Sequence, residues 1–535
     1  MSDGMTRRQW LQHTAAAAAA GQLAWHGGKA AGGPQEGARE RVYFGDLHNH
    51  SQVGYAKGTL GRAFQVARNH LDFFAFTPHG WWHDIGRYEN QIETKWLDGF
   101  EVTKSRWPEV LAEVAEYDEP GRFVAIPGWE WHSTSLGDYH VIFPSVKAAQ
   151  YVRFDDLREF QAFAKRQGAI LIPHHPANRL GHRGANLKWL DPEVSPVVEI
   201  FSEWGCAEHD RAPSPYIRHT EGGRWTRNTL QHFLRQGYRP GVVAGTDDHL
   251  GFPGAYREGL AAVWATGLTR EAIFDAIRRR RTYAVSGDRI ELDFRLNGRP
   301  MGEELPCTPR RELAVEVEGW DQVDRVEVLK NNRVIHRDFP MDRVPSARSW
   351  QRPVAVRFEY GWGPWPALDM TRTCDWDIHI KLEGGVLVDF QPCFGSGPLD
   401  EERRDRVLAR SDRHLHVQSF TALRQQLDDY SQKGVVLKVL GGPDTRITVE
   451  LTAPARVSLT QTFRQLAESN EMLFAGDFPK ESAMLHRLVF ADHYRTSFRV
   501  TDADAGKETT WYYVRAVQAN EQYAWSSPIW VEGAG

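Results

Sequence analysis

The chain has 535 residues, of which 65 are Lys or Arg and 70 are Asp or Glu, giving a formal net charge of −5. A mildly acidic chain with a sequence pI near 6.5 argues against nucleic acid as a partner, because binding along a phosphate backbone needs a basic surface. Its 41% hydrophobic and 25% charged residues exclude a disordered or collagen-like chain, and no apolar run is long enough to predict stable membrane insertion. The 22 His and 20 Trp are the compositional departures. Imidazole binds metals and carries protons, and indole offers large surfaces for stacking or packing.

Residues 1–31 read as an address. Arg7 and Arg8 precede Gln9, Trp10 and Leu11, and an Ala-rich stretch follows to about Ala24. This resembles a twin-arginine signal and predicts delivery to the periplasm or the outside of the cell. The four cysteines, Cys206, Cys307, Cys374 and Cys393, show no CxxC zinc spacing.

From 41 to 290, short apolar runs alternate with amphipathic stretches. The runs are Arg41–Phe44, Phe73–Thr77, Phe123–Ile126, Val141–Phe143, Ile170–Pro173, Val197–Phe201 and Val242–Ala244. The stretches Leu60–Leu71, Phe154–Gln167 and Ala272–Arg280 read as helices, the last capped by Thr269. Seven strands alternating with helices predict an α/β fold with a parallel sheet or barrel. From 291 to 535, alternation such as Ile290, Leu292, Phe294, Leu296 and Ile378, Ile380, Leu382 predicts a β-rich, sandwich-like region.

Candidate ligands cluster beside the strands. His48 and His50 stand at i and i+2 after the first, so both face one way on an extended backbone. His79 follows the second, Glu130 the third, and His140 precedes Val141. His174 and His175 follow the Ile170 run, and Asp247 and His249 follow the last. In an α/β barrel the carboxyl ends of the strands carry the active site. A mixed His, Asp and Glu set suits divalent transition metals rather than Ca or Mg.

The segments DLHNHS, TPHG, HHPAN and GTDDH together resemble the PHP (polymerase and histidinol phosphatase) superfamily of metal-dependent hydrolases. VEIFSEWG (198–205), RRTYAVSGDRI (280–290) and YYVRAVQANEQYAWSSPIWV (512–531) extend the resemblance to an exported branch with a β-rich C-terminal part. The resemblance implies a distorted seven-stranded β/α barrel and a centre of two divalent ions, Zn, Mn or Fe, with a third position in question. Carried over by position, His48, His50, Glu130 and Asp247 would hold one ion. Glu130, His140 and His175 would hold a second, and His79 and His249 would belong to the third. His175 is preferred to His174 because it leads HPAN. Two departures bear on the third ion: Pro78 stands where an acid is usual, and Gly54-Tyr55-Ala56-Lys57 offers no ligand.

The implied function is a phosphoesterase using a metal-bridging hydroxide as nucleophile, on a small-molecule or saccharide-derived substrate. Asp247 or His249 would move a proton to the leaving group. Arg179 and Arg183, in RLGHRG, are candidates to bind phosphate. Trp81, Trp82, Trp129, Trp131 and Trp204 are candidates for stacking on substrate or for packing. The alternatives are hydrolysis of a non-phosphate ester, lactone or amide, and non-catalytic glycan binding.

Overall fold

A computed structural model describes residues 40–214, 216, 222–361, 372–395, 405–423, 432–477, 480–504 and 506–534. The twin-arginine segment lies outside the described residues. Among the described residues, no helix is long and apolar enough to cross a membrane.

The N-terminal part contains β1 (Arg41–Asp46), β2 (Phe73–Phe76), β3 (His79–Trp82), β4 (Val124–His132), β5 (Tyr139–Ile142) and β6 (Ile170–Pro173). It continues with β7 (Val197–Ser202), β8 (Gly205–Cys206), β9 (Gly241–Ala244), β10 (Leu260–Ala265) and β11 (Thr282–Val285). Its helices are α1 (Leu60–His70), α2 (Glu93–Tyr117), α3 (Leu157–Gln167), α4 (Leu230–Arg235) and α5 (Arg270–Arg278). Thr59, Asp156 and Thr269 cap α1, α3 and α5 by accepting first-turn N–H groups. Gly168 closes α3 in the left-handed conformation, where a residue without Cβ meets no penalty.

Pairing departs from a parallel seven-stranded barrel. β1–β2, β2–β4, β3–β4 and β7–β9 are parallel. β4–β5, β5–β6 and β1–β10 are antiparallel. The six-residue link between His132 and Tyr139 explains the first reversal, since a parallel return needs a crossover of about a dozen residues. The strands form a run β6–β5–β4–β2–β1–β10–β11 and a separate sheet β8–β7–β9, touching through an Asn49–Asp248 bridge.

The long helix α2 was not expected. Its buried Phe100, Thr103, Trp107, Val110 and Val114 follow helical spacing, but Pro108 interrupts the pattern that would announce it.

The larger sheet also passes through residue 290 without a break: β11 pairs with Tyr523–Ser526, which pairs with Thr510–Gln518. Glu208 fastens this junction, accepting hydrogen bonds from Arg515, Tyr513 and Trp525 of the C-terminal segment. Elsewhere in the described C-terminal half strand pairing is mostly antiparallel, including two 22-residue strands, Arg372–Cys393 and Gln432–Ala453, while Glu304–Leu305 pairs parallel with Ile529–Val531. Among the described residues, Cys206, Cys307, Cys374 and Cys393 form no disulfide.

Candidate metal centre

The ends of β1, β4, β5, β6 and β9 converge on one buried cluster. His48, His50, His79, Glu130, His132, His140, His174 and Asp247 are all nearly inaccessible to solvent. Asp247 stands at its centre: Oδ1 is 2.9 Å from His50 Nε2 and 3.4 Å from His48 Nε2, and Oδ2 is 3.6 Å from His174 Nδ1. Glu130 is the second hub. Its Oε1 lies 2.7 Å from His174 Nε2 and 3.3 Å from His132 Nδ1, and its Oε2 lies 3.6 Å from His50 and 3.7 Å from His79. His140 stacks on His48 at 4.5 Å between ring centroids. His249 closes the mouth, with Nε2 3.1 Å from His79 Nε2.

The backbone aims these groups. Asp247 adopts φ +54°, a left-handed conformation that Asp tolerates better than most residues. Its N–H donates to His48 O at 2.8 Å, locking the two motifs together. Asp46 accepts hydrogen bonds from Thr246 and from the His48 N–H, which fixes the same junction from below. Gly245 is required by a close approach: a Cβ there would stand 2.7 Å from Glu199 Oε2 and 2.7 Å from His48 Cβ.

The electrostatics of the cluster are sharply divided. Burial holds His48, His50, His79 and His140 below the ordinary imidazole range. Burial works against a charged His174, yet the Glu130 and Asp247 carboxylates hold it well above that range. His249 is half-buried, and although desolvation opposes its charge, Glu203 and Asp247 lift it to about 9. Desolvation opposes ionisation of Asp247 too, and His48, His174 and His50 nevertheless pull it well down.

Several buried polar atoms in the cluster have no hydrogen-bond partner: both ring nitrogens of His140, His132 Nε2, His50 Nδ1, His79 Nδ1 and Glu130 Oε2. Such atoms are costly to bury unless something else engages them. Ligand atoms within 4.8 Å of one another form overlapping triads able to hold a metal ion, among them His50–His79–His249, His48–His50–Glu130, His48–His174–Asp247 and His79–Glu130–His132. Imidazole with carboxylate is a donor set that divalent transition metals accept.

The two adjacent histidines are placed differently. His174, not His175, lies between Glu130 and Asp247. His175 turns toward Asp138 (Nε2 to Oδ2, 3.4 Å) and Asn178 (3.3 Å), because adjacent residues project differently and His175 takes φ +28°. The basic loop divides as well. Arg179 is exposed, whereas Arg183 donates from Nε to Asp138 at 2.6 Å and lies 3.2 Å from His132 Nδ1. The arginine pulls the Asp138 carboxyl, against desolvation, far below the usual carboxylate range.

The sequence reading passed over five residues. His132 sits two positions after Glu130, the same i, i+2 signal used for His48 and His50. Glu199 places Oε2 3.2 Å from His48 Nδ1. Glu203 places Oε1 3.1 Å from His249 Nδ1, and burial raises its carboxyl to about 8. Asp138 carries no motif. Tyr55 belongs to the stretch read as offering no ligand, yet its ring stacks on His79 at 3.5 Å. Lys57 is exposed. Trp129 and Trp131 are core residues that donate to Gln150 O and Phe154 O, which settles them as packing. Trp204 remains half-buried beside His249, at 5.7 Å.

Comparison with known proteins gives three kinds of finding. A family model described as "Protein of unknown function (DUF3604)" matches residues 253–299. An uncharacterized protein of Chlamydia pneumoniae is 26% identical over 256 residues, covering 44% of this chain and 41% of its own length. An uncharacterized protein of Chlamydia trachomatis is 26% identical over 328 residues, covering 56% and 49%. The chain thus spans less than half the length of these curated relatives. A solved Bacteroides vulgatus structure, described as a two-domain protein containing a predicted PHP-like metal-dependent phosphoesterase, aligns over 80% of this chain and 100% of its own. Identity there is 12% and the TM-score 0.29.

Proposed function

We propose that this chain is an exported metal-dependent hydrolase acting on phosphate esters. One observation carries the reading: imidazoles and carboxylates from five strand ends converge in a buried cluster where several ligand atoms have no hydrogen bond. In this reading His48, His50, Glu130 and Asp247 hold one ion, and Glu130, His140 and His174 a second. His79, His132 and His249 line the outer edge. Two ions of Zn, Mn or Fe are proposed. Bound there, divalent ions would polarise the scissile group and activate water near neutral pH.

The protein's own groups do the rest. Glu199 lies 3.2 Å from His48 Nδ1; with Nδ1–H donating to it, the Nε2 lone pair would face Asp247. Glu203 lies 3.1 Å from His249 Nδ1 and favours the protonated ring. His249 is 31% exposed on its side chain and carries a proton at neutral pH, so it is placed to protonate a leaving group at the mouth. Arg183, lying over the Trp82 ring, brings positive charge beside His132. The charge on Arg183 is shared with Asp138, and that pairing favours a second reading, hydrolysis of an uncharged ester, lactone or amide.

The experiment is a screen of phosphomonoesters, phosphodiesters and carboxylic esters with Zn-, Mn- and Fe-loaded protein. Metal-dependent turnover confined to phosphate esters is expected. Turnover confined to carboxylic esters would transfer the reading to the second hydrolase class. Loss of neither activity on removing metal would reject both.

A further inference from the structure

A second group of imidazoles lies on the C-terminal sheet, apart from the cluster above. Strand Arg372–Cys393 pairs antiparallel with His414–Leu423, and His379 stands directly opposite His416. Side chains alternate across a sheet. Ile378, Ile380, Leu415 and Val417 therefore fill the core, and Asp377, His379, His414 and His416 share the outer face.

On that face a single carboxylate oxygen gathers two imidazoles. Asp377 Oδ1 lies 3.3 Å from His379 Nε2 and 3.0 Å from His416 Nε2. Ligand atoms bound at about 2.0–2.2 Å to a tetrahedral ion stand about 3.3 Å apart, so these separations match the edges of such a site. The far nitrogen of His379, Nδ1, lies 3.2 Å from His414 Nε2. With His379 Nδ1–H donating to His414 Nε2, the His379 Nε2 lone pair faces Asp377, the arrangement by which an outer partner orients a metal-binding imidazole. The nearby cation Lys381 is paired with Glu450 at 2.7 Å. Side-chain exposures of 25% for Asp377, 25% for His379 and 19% for His416 leave room for an ion to enter and for water to complete its shell. The His379 and His416 rings are stacked at 3.9 Å with 19° between planes, so binding must tilt them toward one another.

We infer that Asp377, His379 and His416 form a surface site for one transition-metal ion, Zn²⁺ or Cu²⁺, with His414 as the residue that positions His379. Both metals bind imidazole readily. The site is independent of the buried cluster and of the reaction proposed for it.

The test uses the full chain and Zn²⁺ alone. Equilibrium dialysis should show one ion per chain fewer in the His379→Thr/His416→Thr double variant than in wild type, with hydrolysis unchanged. Threonine is a strong strand former, so the sheet should tolerate both changes. Asp247→Ala protein, whose buried cluster is broken, should still bind the surface ion. With one equivalent of Cu²⁺ its paramagnetic resonance spectrum should show coupling to imidazole nitrogen that is lost when His379→Thr and His416→Thr are added to Asp247→Ala. Equal Zn²⁺ stoichiometry in wild type and double variant would overturn the site, as would a Cu²⁺ spectrum unaltered by removing His379 and His416. Either result leaves the hydrolase reading standing. Failure of the hydrolase leaves the dialysis difference intact.

Discussion

Glu199 Oε2 and His48 Nδ1 meet at 3.2 Å across 151 residues of sequence, both fully buried. The contact exists because β7 brings Glu199 alongside the end of β1 and because Gly245 has no side chain to separate them. A carboxylate behind a metal-binding imidazole fixes its tautomer and strengthens it as a donor, and losing such a partner typically weakens metal binding about 10–100-fold. Glu199→Gln should therefore retain the fold and bind metal at least about tenfold more weakly. Competition with a chromophoric chelator reads this directly, and unchanged affinity would remove Glu199 from the centre.

The two neighbouring histidines make a sharper comparison. His174→Ala removes the group between Glu130 and Asp247 and should abolish most activity and lower metal content. His175→Ala should leave metal content near that of wild type, since His175 faces Asp138 and Asn178. Parallel elemental analysis and rate measurements decide it. The reverse ranking would restore the assignment drawn from the HPAN motif.

Arg183 tests substrate charge. Arg183→Ala should leave the metals in place and raise KM for phosphate esters, with little effect on a neutral ester, because the lost contact is made in ground and transition states alike. It also strips Asp138 of its main counter-charge, so the thermal midpoint should fall. Equal losses of kcat/KM on charged and neutral substrates would favour the uncharged-ester reading.

How much of this was visible in the sequence depended on the range of the interaction. His48/His50 and Asp247/His249 could be found because an i, i+2 pair after an apolar run is a local signal. The seven apolar runs likewise overlap β1, β2, β4, β5, β6, β7 and β9, covering only the start of β4 and the end of β5. Glu199 and Asp138 were hidden because their significance comes from partners across the fold. His174 and His175 could not be separated without backbone angles. The direction of β5 was legible in the short His132–Tyr139 link but was outweighed by the expectation of a parallel barrel. The sheet crossing residue 290 was not legible, since strand pairing between β11 and Tyr523–Ser526 leaves no mark in composition.

His70 supplies a pH prediction away from the cluster. Burial, aided by the Arg289 charge, depresses its imidazole to about 4, although carbonyls of Val66 and Gly254 pull the other way. A histidine depressed in the folded state favours folding above its unfolded pKa of about 6.5, and that contribution is lost as pH falls toward about 4. His70→Gln should flatten the fall in stability between these two pH values. Chemical denaturation of both proteins across that range reads the slope. Identical slopes would show that His70 does not contribute.

The central claim is that the cluster around Asp247 is a metal centre that performs hydrolysis. Its most direct test is metal content and phosphate-ester turnover measured together on wild type and Asp247→Ala. Wild type should carry about two transition-metal ions in this cluster and turn over substrate. The variant should lose those ions and all measurable turnover while keeping its far-ultraviolet circular dichroism. Equal metal content and full activity in folded Asp247→Ala would contradict the account.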